Sequence, residues 1–126
     1  VRRFRLTSLV PTESQVQSSF FQWARGYGVR EYPELRWLHA IPNGGVRDPV
    51  TAAILKREGV TPGILDTFLP VARRGYHGLY IEMKKPGEKM SPAQIEFSAF
   101  LVEQGYAAHV ADDFQKAINI VREYLS

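Results

Sequence analysis

The 126-residue chain contains no cysteine. That absence excludes disulfides, thiolate metal centres and a cysteine nucleophile together. Histidine is nearly as scarce: His39, His77 and His109 lie far apart and show no metal-ligand spacing. Any metal must therefore be held by oxygen, which points to Mg²⁺ or Mn²⁺ rather than zinc. No apolar run approaches the ~20 residues needed to span a bilayer, so no membrane partner is expected. The N-terminal Val1-Arg2-Arg3-Phe4-Arg5-Leu6 does not lead into an apolar stretch of signal-peptide type. Internal repeats, low-complexity tracts and linkers are also missing, which leads us to expect one domain over residues 1–126.

What is present fits a globular chain that can bury a core without metal or disulfide support. Hydrophobic residues make up 44% and charged residues 23% of the sequence. Sixteen Lys and Arg face thirteen Asp and Glu, a net charge of +3. A polyanionic partner suits this balance, although many proteins that never touch nucleic acid share it.

Along the chain, Thr12 and Gln15 have the spacing of a capping box, and Val16, Phe20, Trp23 and Ala24 follow at helical intervals. Gly26 and Gly28 are expected to stop that helix. Leu35 to Ile41 reads as a strand running into the Asn43-Gly44-Gly45 loop. Asp48 caps a second helix, with Pro49 at its first position. Asp66–Ala72 and Leu79–Lys84 read as a hairpin with a polar tip from Arg73 to Gly78. Ser91-Pro92-Ala93-Gln94 opens another helix. Tyr106–Ala111 is expected to form a short strand, with Asp112 capping the last helix. Trp23 and Trp37 are expected in the core. The order implies an α/β domain, a mixed sheet flanked by helices.

Strand alternation places Glu82 and Lys84 on one face and Met83 on the other. With the hairpin tip near Gly75-Tyr76, the residue facing Asp66 is close to position 84 or 85, and a slip of a residue or two sets Asp66 against Glu82. Two carboxylates that near each other repel unless a cation sits between them. A divalent ion there can acidify water and stabilise a phosphodiester transition state, with the Lys84 ammonium assisting. A Glu-x-Lys pair on a strand face is also a common solvated ion pair. The near-continuous apolar runs Ile64-Leu65 and Leu79-Tyr80-Ile81 argue for a covered position instead, where unpaired carboxylates are costly.

These residues, in this order, resemble the VRR-NUC domain (virus-type replication and repair nuclease) of the PD-(D/E)xK superfamily. The resemblance runs from Glu13 to Tyr124-Leu125. It is strongest at Ala40-Ile41-Pro42-Asn43-Gly44-Gly45, from Gly59-Val60 to Asp66, and at Gly78-Leu79-Tyr80-Ile81-Glu82-Met83-Lys84; Ser91-Pro92-Ala93-Gln94 and Gly105-Tyr106 add to it. The family often has proline directly before the aspartate, where this chain has Leu65. The resemblance implies a restriction-endonuclease-like core and catalytic roles for Glu13, Asp66, Glu82, Lys84 and Gln94. It implies Asp66, Glu82 and the Met83 carbonyl as metal ligands. Glu13 also suits a first helical turn on dipole grounds, and Gln94 a capping box with Ser91.

Gln17 shares a helix face with Glu13 and is a candidate phosphate contact. Asn43 and Arg47 sit on a glycine loop that could approach a nucleic-acid backbone. Arg73, Arg74, Lys85 and Lys89 complete the set. The expected activity is a Mg²⁺- or Mn²⁺-dependent endodeoxyribonuclease. By resemblance it acts as a homodimer on branched DNA such as Holliday junctions, in the cytoplasm of a bacterium or encoded by a phage. The competing readings are a flap or end nuclease or nickase, and a binding module that holds branched DNA without cutting it.

Overall fold

The structure, a computed structural model, describes residues 10–42 and 48–126. Asn43 and Arg47, two of the expected nucleic-acid contacts, lie outside the described residues.

Helix α1 (Glu13–Trp23) opens with the expected capping box, the Thr12 side chain accepting from Gln15 N–H and the Gln15 side chain from Thr12 N–H. The glycines that follow do not stop it. The chain continues through a π-helical turn (Ala24–Gly28) into a short α2 (Val29–Glu31) and a 3₁₀ turn (Pro33–Trp37). Gly28 serves packing: a Cβ there would stand 3.0 Å from both Leu35 Cδ1 and the Trp23 ring. The strand expected from Leu35 to Ile41 is thus reduced to β1 (His39–Ala40), because the 3₁₀ turn uses Leu35 as a buried anchor. Trp37 is 59% exposed, contrary to its expected core role.

Helix α3 (Pro49–Arg57) starts at the Asp48 cap as expected. Strands β2 (Thr67–Leu69) and β3 (Leu79–Met83) form the hairpin, α4 (Pro92–Glu103) follows, and β4 (Ala107–Ala111) leads to α5 (Phe114–Leu125). Pro70, which has no N–H to donate to the ladder, ends β2 earlier than expected. Asp113, not Asp112, caps α5 by accepting from Lys116 N–H. Asp112 instead accepts from Gly87 N–H and pairs with Lys116.

The sheet order is β1-β2-β3-β4, antiparallel except for the parallel β3–β4 pair. Leu79, Ile81 and Met83 share one core cluster with Val16 and Phe20 of α1 and with Ala117, Ile118 and Val121 of α5. The intervening β3 residues face α4, where the Tyr80 ring meets Phe68, Phe97 and Tyr106. Among the described residues no helix is long and apolar enough to cross a membrane.

The hairpin register corrects the expected one. Thr67 stands opposite Ile81, so the next pair outward is Asp66 with Glu82. Its tip is a tight turn between Arg73 and Tyr76, with Arg74 and Gly75 at φ 54° and 83°. An extra residue is taken up at Pro70–Ala72, where Val71 N–H turns back onto the Leu69 carbonyl. Together these shift the facing partner of Asp66 back from 84 or 85 to 82.

Candidate active site

Asp66 ends the loop that leads into β2. Gly63, at φ 87°, lets this loop lie against the start of α4; a Cβ there would stand 2.7 Å from the Ala93 carbonyl oxygen. The Asp66 backbone N–H donates to Glu82 Oε1 at 3.1 Å, and Asp66 Oδ2 accepts from Met83 N–H at 3.0 Å. Each acid is thus held by the backbone of the other's strand.

Glu82 is 1% exposed and Lys84 8%. The Lys84 ammonium lies 3.6 Å from Glu82 Oε2, and the same oxygen accepts from the Gln94 amide at 2.7 Å. Gln94 does both jobs that its position allowed. Its carbonyl oxygen accepts from Ser91 N–H in the capping box while its nitrogen holds Glu82. Glu13, in the first turn of α1, completes the group: Glu13, Asp66 and Glu82 each offer an oxygen, all within 4.8 Å of one another.

Crowding sets the electrostatics. Burial first, then the Asp66 charge, pushes the Glu82 carboxyl up to about 8, against the opposing pull of Lys84. Glu13 is raised as well, by burial first, then by Asp66 and Glu88, with Lys84 working the other way. Glu13 and Glu82, both raised beside Asp66, would be relieved by a cation among the three. Hard oxygen donors in this number suit Mg²⁺ or Mn²⁺, so the residues present fit such an ion.

The other expected residues fall into two groups. Lys85 and Lys89 are exposed on the loop that leaves Lys84, and Gln17 is half-buried one helical turn beyond Glu13. Arg73 and Arg74 lie at the far end of the hairpin. There Arg73 pairs with Glu34 at 3.1 Å, and Arg74 donates to the Glu123 carbonyl at the end of α5. Both have structural work away from the acids. Met83 buries its side chain in the core and turns its N–H to Asp66.

One residue escaped the sequence reading. Glu88 lies 3.4 Å from the Lys84 ammonium, through Oε1, and 3.8 Å from Lys85, through Oε2. The signal was available: Pro86-Gly87 after a strand-end lysine marks a reversal that returns the next residue to it.

A short hairpin that sets Asp66 against a buried Glu-x-Lys, on a mixed sheet between α4 and the α1–α5 pair, defines a restriction-endonuclease-like nuclease fold. A solved structure described as a VRR_NUC domain protein shares that fold and 33% of the sequence. The match has a TM-score of 0.77 and covers 92% of this chain and 89% of that one. The chain belongs to the VRR-NUC family. No protein-family model matches it, and no curated protein does.

Proposed function

We propose that residues 1–126 act as one nuclease domain, a divalent-metal-dependent endonuclease that hydrolyses phosphodiester bonds in DNA. The observation that carries this reading is the convergence of Glu13, Asp66 and Glu82 within 4.8 Å, beside a buried lysine, in a VRR-NUC chain. Asp66 and Glu82, with Glu13, hold the ion, and the Met83 carbonyl adds a donor from the strand. When bound, Mg²⁺ or Mn²⁺ supplies the charge that acidifies water and offsets the charge building on the phosphate.

The chain's own residues do the rest. Gln94 fixes the Glu82 carboxylate and leaves it one orientation. The Lys84 ammonium, as the buried cation at the site, orients the attacking water and stabilises negative charge on the phosphoryl oxygen. One P–O bond forms to water and one breaks to the departing strand end. Lys85, Lys89 and Gln17 contact phosphates around the scissile bond, and Asn43 and Arg47 stand as phosphate contacts on sequence grounds alone. Arg73 and Arg74 reach only DNA that extends along the hairpin.

The substrate in this reading is branched DNA such as a Holliday junction, cut by a homodimer whose two-fold axis relates two sites. Exposed apolar residues support a second copy: Ile95, Phe100 and Val102 on α4 are each more than half exposed.

The test incubates purified protein with labelled four-way junction, flap and linear duplex in Mg²⁺, Mn²⁺ or EDTA, beside Asp66→Ala and Lys84→Ala. Paired symmetric cuts confined to the junction, lost in EDTA and in both variants, are expected. Cutting that survives EDTA or both substitutions contradicts the site. Light scattering is expected to give a dimer mass that falls on dilution, and a monomer mass at every concentration rules out the paired-site arrangement.

A further inference from the structure

Glu88 reaches the site by a route that looks built for placement. Lys84 leaves β3 with its N–H donating to the Ala111 carbonyl at 2.9 Å. Lys85-Pro86-Gly87-Glu88 then forms a type II turn, with proline at the second position and Gly87 at φ 81° at the third. The turn is closed by Glu88 N–H donating to the Lys85 carbonyl at 3.0 Å. Gly87 N–H is tied to Asp112 Oδ2 at 3.0 Å, and Asp112 is itself paired with Lys116 of α5. Both ends of the turn are therefore anchored to the β4–α5 junction. The result is a carboxylate 3.4 Å from the Lys84 ammonium, which also stands 3.6 Å from Glu82.

We propose that Glu88 is a positioning residue for Lys84, holding its ammonium in place when the acids are engaged by a cation. The argument is one of competition. Lys84 has two carboxylate neighbours, Glu82 Oε2 at 3.6 Å and Glu88 Oε1 at 3.4 Å. Glu82 belongs to the group of three acids that can converge on an ion; Glu88 is not in that group, although it lies beside one member, Glu13. An ion that draws on Glu82 weakens its hold on Lys84, and like charges then push the ammonium outward. Glu88 is the anion that remains with it. Its second oxygen restrains Lys85, which is 60% exposed, so Glu88 also sets how freely that cation reaches a phosphate.

This inference rests on the nuclease reading for its effect on cleavage, but the positioning itself is measurable without cleavage. Side-chain relaxation at the Lys84 ε-carbon, assigned with Lys84→Arg, reads how tightly the ammonium is held. Glu88→Ala is expected to raise that mobility towards the exposed Lys56, with the isosteric Glu88→Gln intermediate and Glu88→Asp recovering part of the order. Unchanged Lys84 mobility in Glu88→Ala and Glu88→Gln overturns the proposal. In single-turnover cleavage of the junction, Glu88→Ala is expected to lose roughly ten- to a hundred-fold in rate, as other supporting residues of metal sites do. Binding of the same DNA in Ca²⁺ is expected to be unchanged or tighter, because a negative charge leaves and Lys85 is freed. A full cleavage rate in both variants, or a matching loss of DNA affinity, contradicts the proposal. So does weakened Mn²⁺ binding by Glu88→Ala, which would make Glu88 a ligand. If the wild type cuts no DNA the nuclease reading fails, and Lys84 mobility alone decides the role of Glu88.

Discussion

Strand β3, with the lysine that follows it, carries two faces of opposite chemistry, both buried beyond the half-buried Tyr80. Towards α1 and α5 it presents Leu79, Ile81 and Met83, at 1% exposure or less. Towards α4 and the open end it presents Glu82 at 1% and Lys84 at 8%. Burying the apolar face stabilises the fold directly. Burying the second costs stability unless each charge finds partners, and here every buried side-chain polar atom among the described residues has a hydrogen-bond partner. Yet the Glu82 carboxyl is still pushed up to about 8, so its partners do not fully compensate. One face holds the domain together, and the other carries a carboxyl whose burial the protein's own groups do not fully offset.

Substitutions should separate the two faces. Lys84→Ala is expected to lose about 10²–10³ in the single-turnover rate, since it removes charge stabilisation, and to change stability only through the acid charges it leaves without their cation. Ile81→Ala should do the reverse. Its loss of a fully buried side chain is expected to cost about 2–5 kcal/mol in denaturant unfolding, with activity per folded molecule nearly retained. If Ile81→Ala lowered turnover as much as Lys84→Ala at full folding, the two faces would not be independent.

The polar face should also be legible in pH. The folded carboxyl of Glu82 titrates at about 8 and its ordinary value is 4.5. Between those values the folded chain holds a proton that the unfolded chain has released. The metal-free protein should therefore lose stability as pH rises through that interval and level off above it. Glu13, raised in the same sense, adds to the slope. Thermal unfolding in chelator from about pH 5 to about pH 8 checks this, and Glu82→Gln should flatten the curve and be the more stable protein at the alkaline end. A wild-type stability that climbs over the same range would contradict the crowding described here.

Gln94 gives the smallest of these effects, because its two roles divide. Gln94→Ala should cost roughly ten- to a hundred-fold in metal affinity or rate through the freed Glu82. It should cost under about 2 kcal/mol of stability through the lost cap. A stability loss of that size with unaltered kinetics and metal affinity would reduce Gln94 to a capping residue.

Much of this site could be read from residue order. Alternation in β3 put Glu82 and Lys84 on one side of the strand, and the caps at Thr12, Asp48 and Ser91 located three helices to the residue. What could not be read depends on contacts between distant segments. The hairpin register turned on an extra residue at Pro70–Ala72, which local pattern does not reveal. Gly26 and Gly28 looked like a helix stop because glycine usually is one, but the chain stays helical through both, with Gly28 packed tightly on Leu35 and Trp23. Asp112 and Asp113 are equally good caps in sequence; only the turn at Gly87, arriving from another segment, assigns one to each job. Glu88 was missed for the same reason. Its partner Lys84 is four residues away, but the turn between them had to be recognised as closing on the site.

The most direct test of the account is Mn²⁺ binding itself, followed by calorimetry on the metal-free protein, its Asp66→Asn and Glu82→Gln forms, and Ile81→Val from the apolar face as control. The account predicts saturable binding by the wild type and by Ile81→Val, with an affinity loss of at least about tenfold in each of the two acid variants. Undiminished Mn²⁺ affinity in both Asp66→Asn and Glu82→Gln would contradict it.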